Sequence, residues 1–307
     1  MSEPASSGTV LASSSATATV LSSAAPSPAA SITPAVDRDR YPWLADADGR
    51  SPQAVEPLRA RFAPPAGFTR REPPDGSFGA WLSRLPLAAK GTPVRAFDGK
   101  ELHPADHPSI AAVVAIDVGA ADLQQCADSV IRLHAEWSWA TRPRDAIGYR
   151  AAAGIALPWS RWARGERVVP EGTKSIAWVP SAKPADDHAT FRRYLDAVFA
   201  WANTVSLAKE ATPIAERDLA AGDFVVLPGN PGHAVLVLDL ASDDAGRRVA
   251  LLGQGYMPAQ SFQVLRPERG SREDVGGPWF LLEPAAEGVK TPFWPVFPWS
   301  ALRRLPR

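Results

Sequence analysis

Two textures of hydrophobic and polar positions follow one another along this chain. Residues 110–118 (IAAVVAIDV) are almost all apolar with β-branched members, which predicts a strand buried on both faces. In the next segment, DLQQCADSVIRLHAEW, the positions Leu123, Cys126, Val130, Leu133 and Trp137 recur at helical spacing, with Arg132 and Glu136 paired on the other side. Asp122 followed three residues later by Gln125 has the form of a capping box, so Asp122 is the expected N-cap, with a start at Gly119, which would set the thiol deeper, as the alternative. A second amphipathic helix is expected over 190–207, with Phe191, Leu195, Val198, Phe199 and Ala202 inward, and a short serine-initiated one over 76–82.

The texture then changes to short strands, expected at 223–227, 234–240, 249–254, 263–266 and 279–283, with turns at 229–232 and 243–246. Helices first and an antiparallel meander second predict an α+β fold, with a helical part over about 76–208 and a β-rich part over about 214–285. Residues 41–74 are proline-rich and 150–180 hold glycines, prolines and three tryptophans, so both are expected to be irregular. The first forty residues are mostly Ser, Ala, Thr and Pro, the composition of a disordered leader, which leaves one domain over 41–307.

Composition removes several function classes. Lysine plus arginine (33) equals aspartate plus glutamate (33), and no basic run carries interleaved aromatics, so nucleic acid is not an expected partner. The one cysteine excludes an internal disulfide framework and a cysteine-rich zinc site. His103 and His107 have helical spacing, but Pro104 and Pro108 argue for a loop, so no metal or other cofactor is expected. No run of eighteen apolar residues is present to cross a membrane. The leader carries Glu3 and no Lys or Arg at its start, a poor signal peptide. Its composition nevertheless suits a tether, which raises an exported or envelope-associated location as an expectation.

The chemistry centres on Cys126 and His233. A thiol at a helix start gains from the positive end of the dipole, and an imidazole delivered by the turn GNPGH is positioned to take its proton. Gln254 is expected to fix the imidazole tautomer, as a side-chain amide does in Cys-His-Asn sets. Gln125 or Gln124 is expected to donate to a developing oxyanion, worth about 2.7–4 kcal/mol where such a donor has been removed. The same residues also suit bland roles. Free cysteine is among the most buried residue types, His233 suits the capping of a turn, and Gln254 and Gln260 suit the ends of hairpins. No Gly-Xaa-Ser-Xaa-Gly elbow and no phosphate loop occur.

The segments SFGAWLSRLPL, DLQQCADSVIRLHAEW, FRRYLDAVFAWANTVSL, GDFVVLPGNPGHAVLVLDLA and LLGQGYMPAQSFQVL resemble, in that order, a bacterial family known as a domain of unknown function. Its motifs are of the LPL, QQCAD, PGHAV and QSYMPAQ type. The resemblance runs from about Gly67 to Leu305, and Gly255 stands where that pattern more usually has serine. The GD–strand–turn–GHA–hairpin segment is also similar to the C-terminal half of NlpC-type and CHAP-type cysteine peptidases. That similarity implies a papain-like arrangement, a long central helix packed on a small antiparallel β-sheet. It also implies Cys126 as nucleophile, His233 as base and Gln254 as orienter, acting on amide or peptide bonds, with cell-wall peptide (peptidoglycan) as the first substrate to consider. The segment between Cys126 and His233 is much longer than in those domains, and Gln125 and Ala127 replace their usual aspartate or serine beside the cysteine. A different class remains open: a non-catalytic, envelope-associated binding or scaffold protein whose Trp159, Trp162, Trp178, Trp279 and Trp294 line a groove.

Overall fold

Apolar runs bounded by glycine and proline turns become strands, and here nine of them form one antiparallel sheet. The computed structural model describes residues 1, 8–9, 35–45, 51–172 and 175–306. The chain divides into two units, Met1–Ile32 and Thr33–Arg307, and the second carries the whole sheet and every candidate site residue. The leader expected over 1–40 lies largely outside the described residues.

The sheet strands are β1 (Thr69–Arg70), β2 (Ile110–Val113), β3 (Thr212–Pro213), β4 (Phe224–Leu227), β5 (His233–Ser242), β6 (Arg248–Gln254), β7 (Gln263–Leu265), β8 (Trp279–Leu282) and β9 (Leu302–Arg304). They lie in the order β3-β9-β4-β5-β6-β7-β2, with β8 also on β6 and β1 also on β5. All these pairings are antiparallel. Leu227 faces His233 across β4 and β5, Leu236 faces Gly253 across β5 and β6, and Gln254 faces Gln263 across β6 and β7.

Both faces of the sheet are covered, which explains why its central strands read as continuous apolar runs rather than alternating ones. Ala234, Leu236, Leu238 and Leu251 point into the larger core with Ala127, Val130 and Ile131. Val235, Val237, Leu240 and Leu252 point to the other side, where Val289 and Phe297 of a C-terminal hairpin cover them. Asp239 sits at a bulge in β5, and Arg70 satisfies its buried carboxylate at 2.7 Å.

Four helices bear on the site. In α1 (Phe78–Leu82) the expected cap is present, Ser77 Oγ accepting from the Ala80 amide. Helix α2 (Cys126–Thr141) starts three residues later than expected, with Gln125 rather than Asp122 as N-cap. The single helix expected over 190–207 is two, α3 (His188–Trp201) and α4 (Thr204–Glu210). The break falls where Asn203 accepts the Val205 and Ser206 amides and so starts a new helix.

The expected α+β, papain-like arrangement of a long central helix on a small sheet is overturned. Among the described residues the structure is mostly β, the largest sheet has nine strands, and the helices are short. The extra strands come from segments that sequence patterning assigned to irregular structure. Glu166–Glu171 pairs with Ser175–Pro180 inside the supposed irregular lobe, Gly148–Arg150 pairs with Ala156–Pro158 at its start, and β1, from the proline-rich segment over 41–74, pairs with β5. The two- and three-residue pairings among these are too short to leave a periodic signal. Among the described residues, no helix is long and apolar enough to cross a membrane.

Candidate functional site

The turn between β4 and β5 brings the Gly232 carbonyl to the start of α2. Gly232 is required there, because a Cβ would press on Thr204 Oγ1 and on the backbone of Gly229 and Leu227. Cys126, the first residue of α2, points its thiol at the Gly232 carbonyl, with Sγ 3.6 Å from the oxygen. His233 follows as the first residue of β5 and is fully buried. Its Nε2 lies 2.8 Å from Oε1 of Gln254, the last residue of the neighbouring β6.

That contact fixes the tautomer. An amide oxygen only accepts, so Nε2 carries the proton and Nδ1 presents a lone pair. Nδ1 has no hydrogen-bond partner, and neither do Asp128 Oδ1, Ser129 Oγ and Gln254 Nε2. Four buried polar atoms of the same neighbourhood are thus unpaired, where buried polar groups are ordinarily satisfied. No hydrogen bond joins Sγ to Nδ1; the thiol is turned to Gly232 instead.

Electrostatics keep both groups neutral at rest. Burial pushes the thiol up to about 11, assisted by the Asp128 carboxyl and opposed by the amides of Ala127, Ala234 and Cys126 itself. The helix start is where the sequence predicts it should help a thiolate, but desolvation outweighs it. Burial also lowers His233 to about 4, against a smaller raising contribution from Gln254. Asp128 is raised to about 8 by burial; its Oδ2 accepts the Gln125 amide at 3.2 Å.

Gln125 is drawn elsewhere, its Nε2 donating to Asp122 Oδ1 at 2.9 Å. Asp122 also accepts the Ala259 amide, tying the approach to α2 to the segment after β6. Gln124 is buried and engaged on both sides, accepting from Arg132 and donating to the Asp117 carbonyl. Arg132 and Glu136, expected on an outer face, are fully buried in one network with Asp117, His188 and Arg192. Gln260, the other candidate amide, accepts from Gln263 Nε2.

A cleft of about 430 Å³ opens onto the thiol and is lined by Asp122, Gln125, Cys126, Asn203, Asn230 and Met257 among others. Aromatic rings pack on the imidazole of His233. Tyr256 lies 5.0 Å and Trp294 4.8 Å from it, centroid to centroid. Sequence patterning missed Tyr256, Asp128 and Ser129; for Tyr256 the only signal was its place two residues after Gln254. At Gly255 a Cβ would overlap Ser129 Oγ and stand 3.0 Å from the Gln125 carbonyl, so glycine there suits a chain with serine at 129.

The other expected features disperse. Trp159 and Trp162 pack on Tyr194, Trp279 is buried and donates to the Ala63 carbonyl, and Trp178 lies under Arg161. Of the five tryptophans expected to line a groove, Trp294 stands beside the imidazole. His103 and His107 come together with ring centroids 4.7 Å apart, against Phe293. Among the described residues, no group of three or more His, Cys, Asp or Glu side chains is placed to hold a metal ion.

Comparison with curated proteins and with solved structures returns no match. The model of one family, described as Domain of unknown function (4846), matches residues 58–304, a span that holds Cys126, His233 and Gln254, and the chain belongs to that family.

Proposed function

We propose that Cys126, His233 and Gln254 form a thiol-dependent amide or peptide hydrolase site, with cell-wall peptide as the substrate class to test first. The observation that carries it is the unpartnered Nδ1 of His233, its lone pair fixed by Gln254, in the residue that follows the Gly232 carbonyl on which the Cys126 thiol rests. The substrate class rests on the similarity of the GD–strand–GHA segment to NlpC-type and CHAP-type enzymes.

In this reading the Cys126 side chain turns from Gly232 towards Nδ1. The thiol proton passes to Nδ1 as Sγ bonds to the substrate carbonyl carbon. The proton then moves to the leaving nitrogen as the C–N bond breaks. Water, deprotonated by the same imidazole, hydrolyses the thioester to a carboxylic acid and restores the thiol. With the thiol near 11 and the imidazole near 4, the proton stays on sulfur at rest, so transfer is coupled to attack. The first-turn amides of α2 supply donors for the oxyanion; Gln125 reaches that role only on leaving Asp122.

The high thiol pKa also favours a second reading, a non-catalytic, envelope-associated binding protein in which Cys126 is a core residue. Iodoacetamide alkylation of the native full chain between pH 5 and 9 separates the two. The hydrolase reading expects Cys126 to react and His233→Ala to slow it at least tenfold, with turnover of peptidoglycan fragments lost in Cys126→Ser. A thiol inert until denaturation, with no turnover by the parent, overturns it.

A further inference from the structure

The hairpin that follows the main β-meander carries an unusual turn. Gly288–Thr291 pairs with Trp294–Pro298, and Thr291 faces Trp294, so Pro292 and Phe293 form a two-residue turn. Phe293 has φ +70°, and among the described residues it is the non-glycine residue in that left-handed region. An aromatic side chain is disfavoured there, and such strain persists only where the surroundings hold it.

Phe293 is held from both sides. Its carbonyl accepts the Tyr256 hydroxyl at 3.1 Å, and its ring packs against His103 and His107. The next residue, Trp294, places its ring over the imidazole of His233, and Phe297 adds a third ring 6.0 Å away. Tyr256, anchored by the turn, closes the remaining side. Among the described residues no charged side chain bears on the imidazole, so its environment is set by these rings and by Gln254.

We infer that the strained Pro292–Phe293 turn is a positioning element for His233: it holds Trp294 and Tyr256 as a dry wall that keeps the ring on Gln254. The inference extends the hydrolase proposal, but its readout is independent of turnover. Trp294 and Tyr256 are positioning residues, acting through the imidazole without touching substrate.

The test is an NMR titration of the His233 ring in the full chain, for the parent and for Trp294→Ala, Trp294→Phe and Tyr256→Phe. The parent is expected to titrate near 4. Trp294→Ala is expected to move the midpoint by at least one pH unit toward the free-histidine value of about 6.5. Trp294→Phe, which keeps a ring, is expected to restore most of the shift, and Tyr256→Phe, which frees Tyr256 from the turn, to give a smaller shift in the same direction. Unchanged midpoints in Trp294→Ala and Tyr256→Phe overturn the inference. If Trp294→Ala fails to fold, Tyr256→Phe alone decides by the same criterion. Should the midpoints move while Cys126 stays inert to alkylation, the wall stands and the hydrolase proposal falls.

Discussion

His233 and Gln254 sit 21 residues apart on neighbouring antiparallel strands, and a 2.8 Å hydrogen bond between Nε2 and Oε1 fixes which nitrogen of the imidazole is free. Gln254→Ala removes the one side-chain hydrogen-bond partner that this fully buried ring has among the described residues. Leaving a buried donor unpaired costs about 1–3 kcal/mol, which urea denaturation measures. If the proposed site is catalytic, Cys126 alkylation and any amide turnover fall at least tenfold as the tautomer is released, whereas Gln254→Asn loses less.

Two buried histidines titrate far below their free value. Burial lowers both His134 and His233 to about 4. In the unfolded chain each binds a proton near pH 6.5. Between 6.5 and 4 the unfolded state therefore holds more protons, and each histidine makes folding less favourable as pH falls, by about 1.4 kcal/mol per pH unit. His134→Gln is expected to gain on the parent by that slope across the window, read from urea midpoints at several pH values. A difference independent of pH contradicts this.

Asp128 has the opposite sign. Burial raises its carboxyl to about 8, so above the ordinary carboxylate range the folded state keeps a proton that the unfolded state releases. Asp128→Asn keeps an acceptor for the Gln125 amide and removes the titration. The variant is expected to gain stability on the parent as pH rises from about 4 to about 8 and to hold that gain above it. Above pH 8 it also removes a negative charge beside Cys126, so the thiol titrates lower and alkylation quickens.

A buried charge network lies behind α2. Arg132 holds Asp117 at 2.7 Å and Glu136 at 2.8 Å, all of them buried, and Glu136 is also held by His188. Breaking such a network from one side costs about 3–5 kcal/mol, whereas replacing both partners by apolar groups costs far less. Arg132→Met and Glu136→Gln are each expected to lower stability by that amount in urea denaturation. Arg132→Met combined with Glu136→Leu is expected to cost less than the sum of the singles.

Much of the β-rich half was legible in the chain itself. Strands at β4, β5, β6, β7 and β8 were bounded by turn residues, and the apolar run over 110–118 already predicted a strand buried on both faces. Helix α2 was visible in its periodicity, and the thiol, imidazole and amide stood out as the residue types that nucleophilic chemistry uses. The start of α2 was not legible. Asp122 has the right side chain for a cap, but it is claimed by Gln125 and by Ala259, 137 residues away. The papain-like architecture failed because short edge pairings, made by β1, β3 and β9 with distant strands, depend on neighbours rather than on local pattern.

What the sequence determined by itself is local: which runs are apolar, where turns must fall, and that one cysteine and one turn histidine are available. The tertiary structure decided which groups lose water and which meet. Burial, a property of the whole packing, holds the thiol protonated and the imidazole neutral where a helix start alone predicts a thiolate. Strand register set Gln254 on Nε2, and a distant hairpin set Trp294 against the ring. Periodicity along the chain encodes faces, not the partners those faces find, and it is the partners that set the charge of the site.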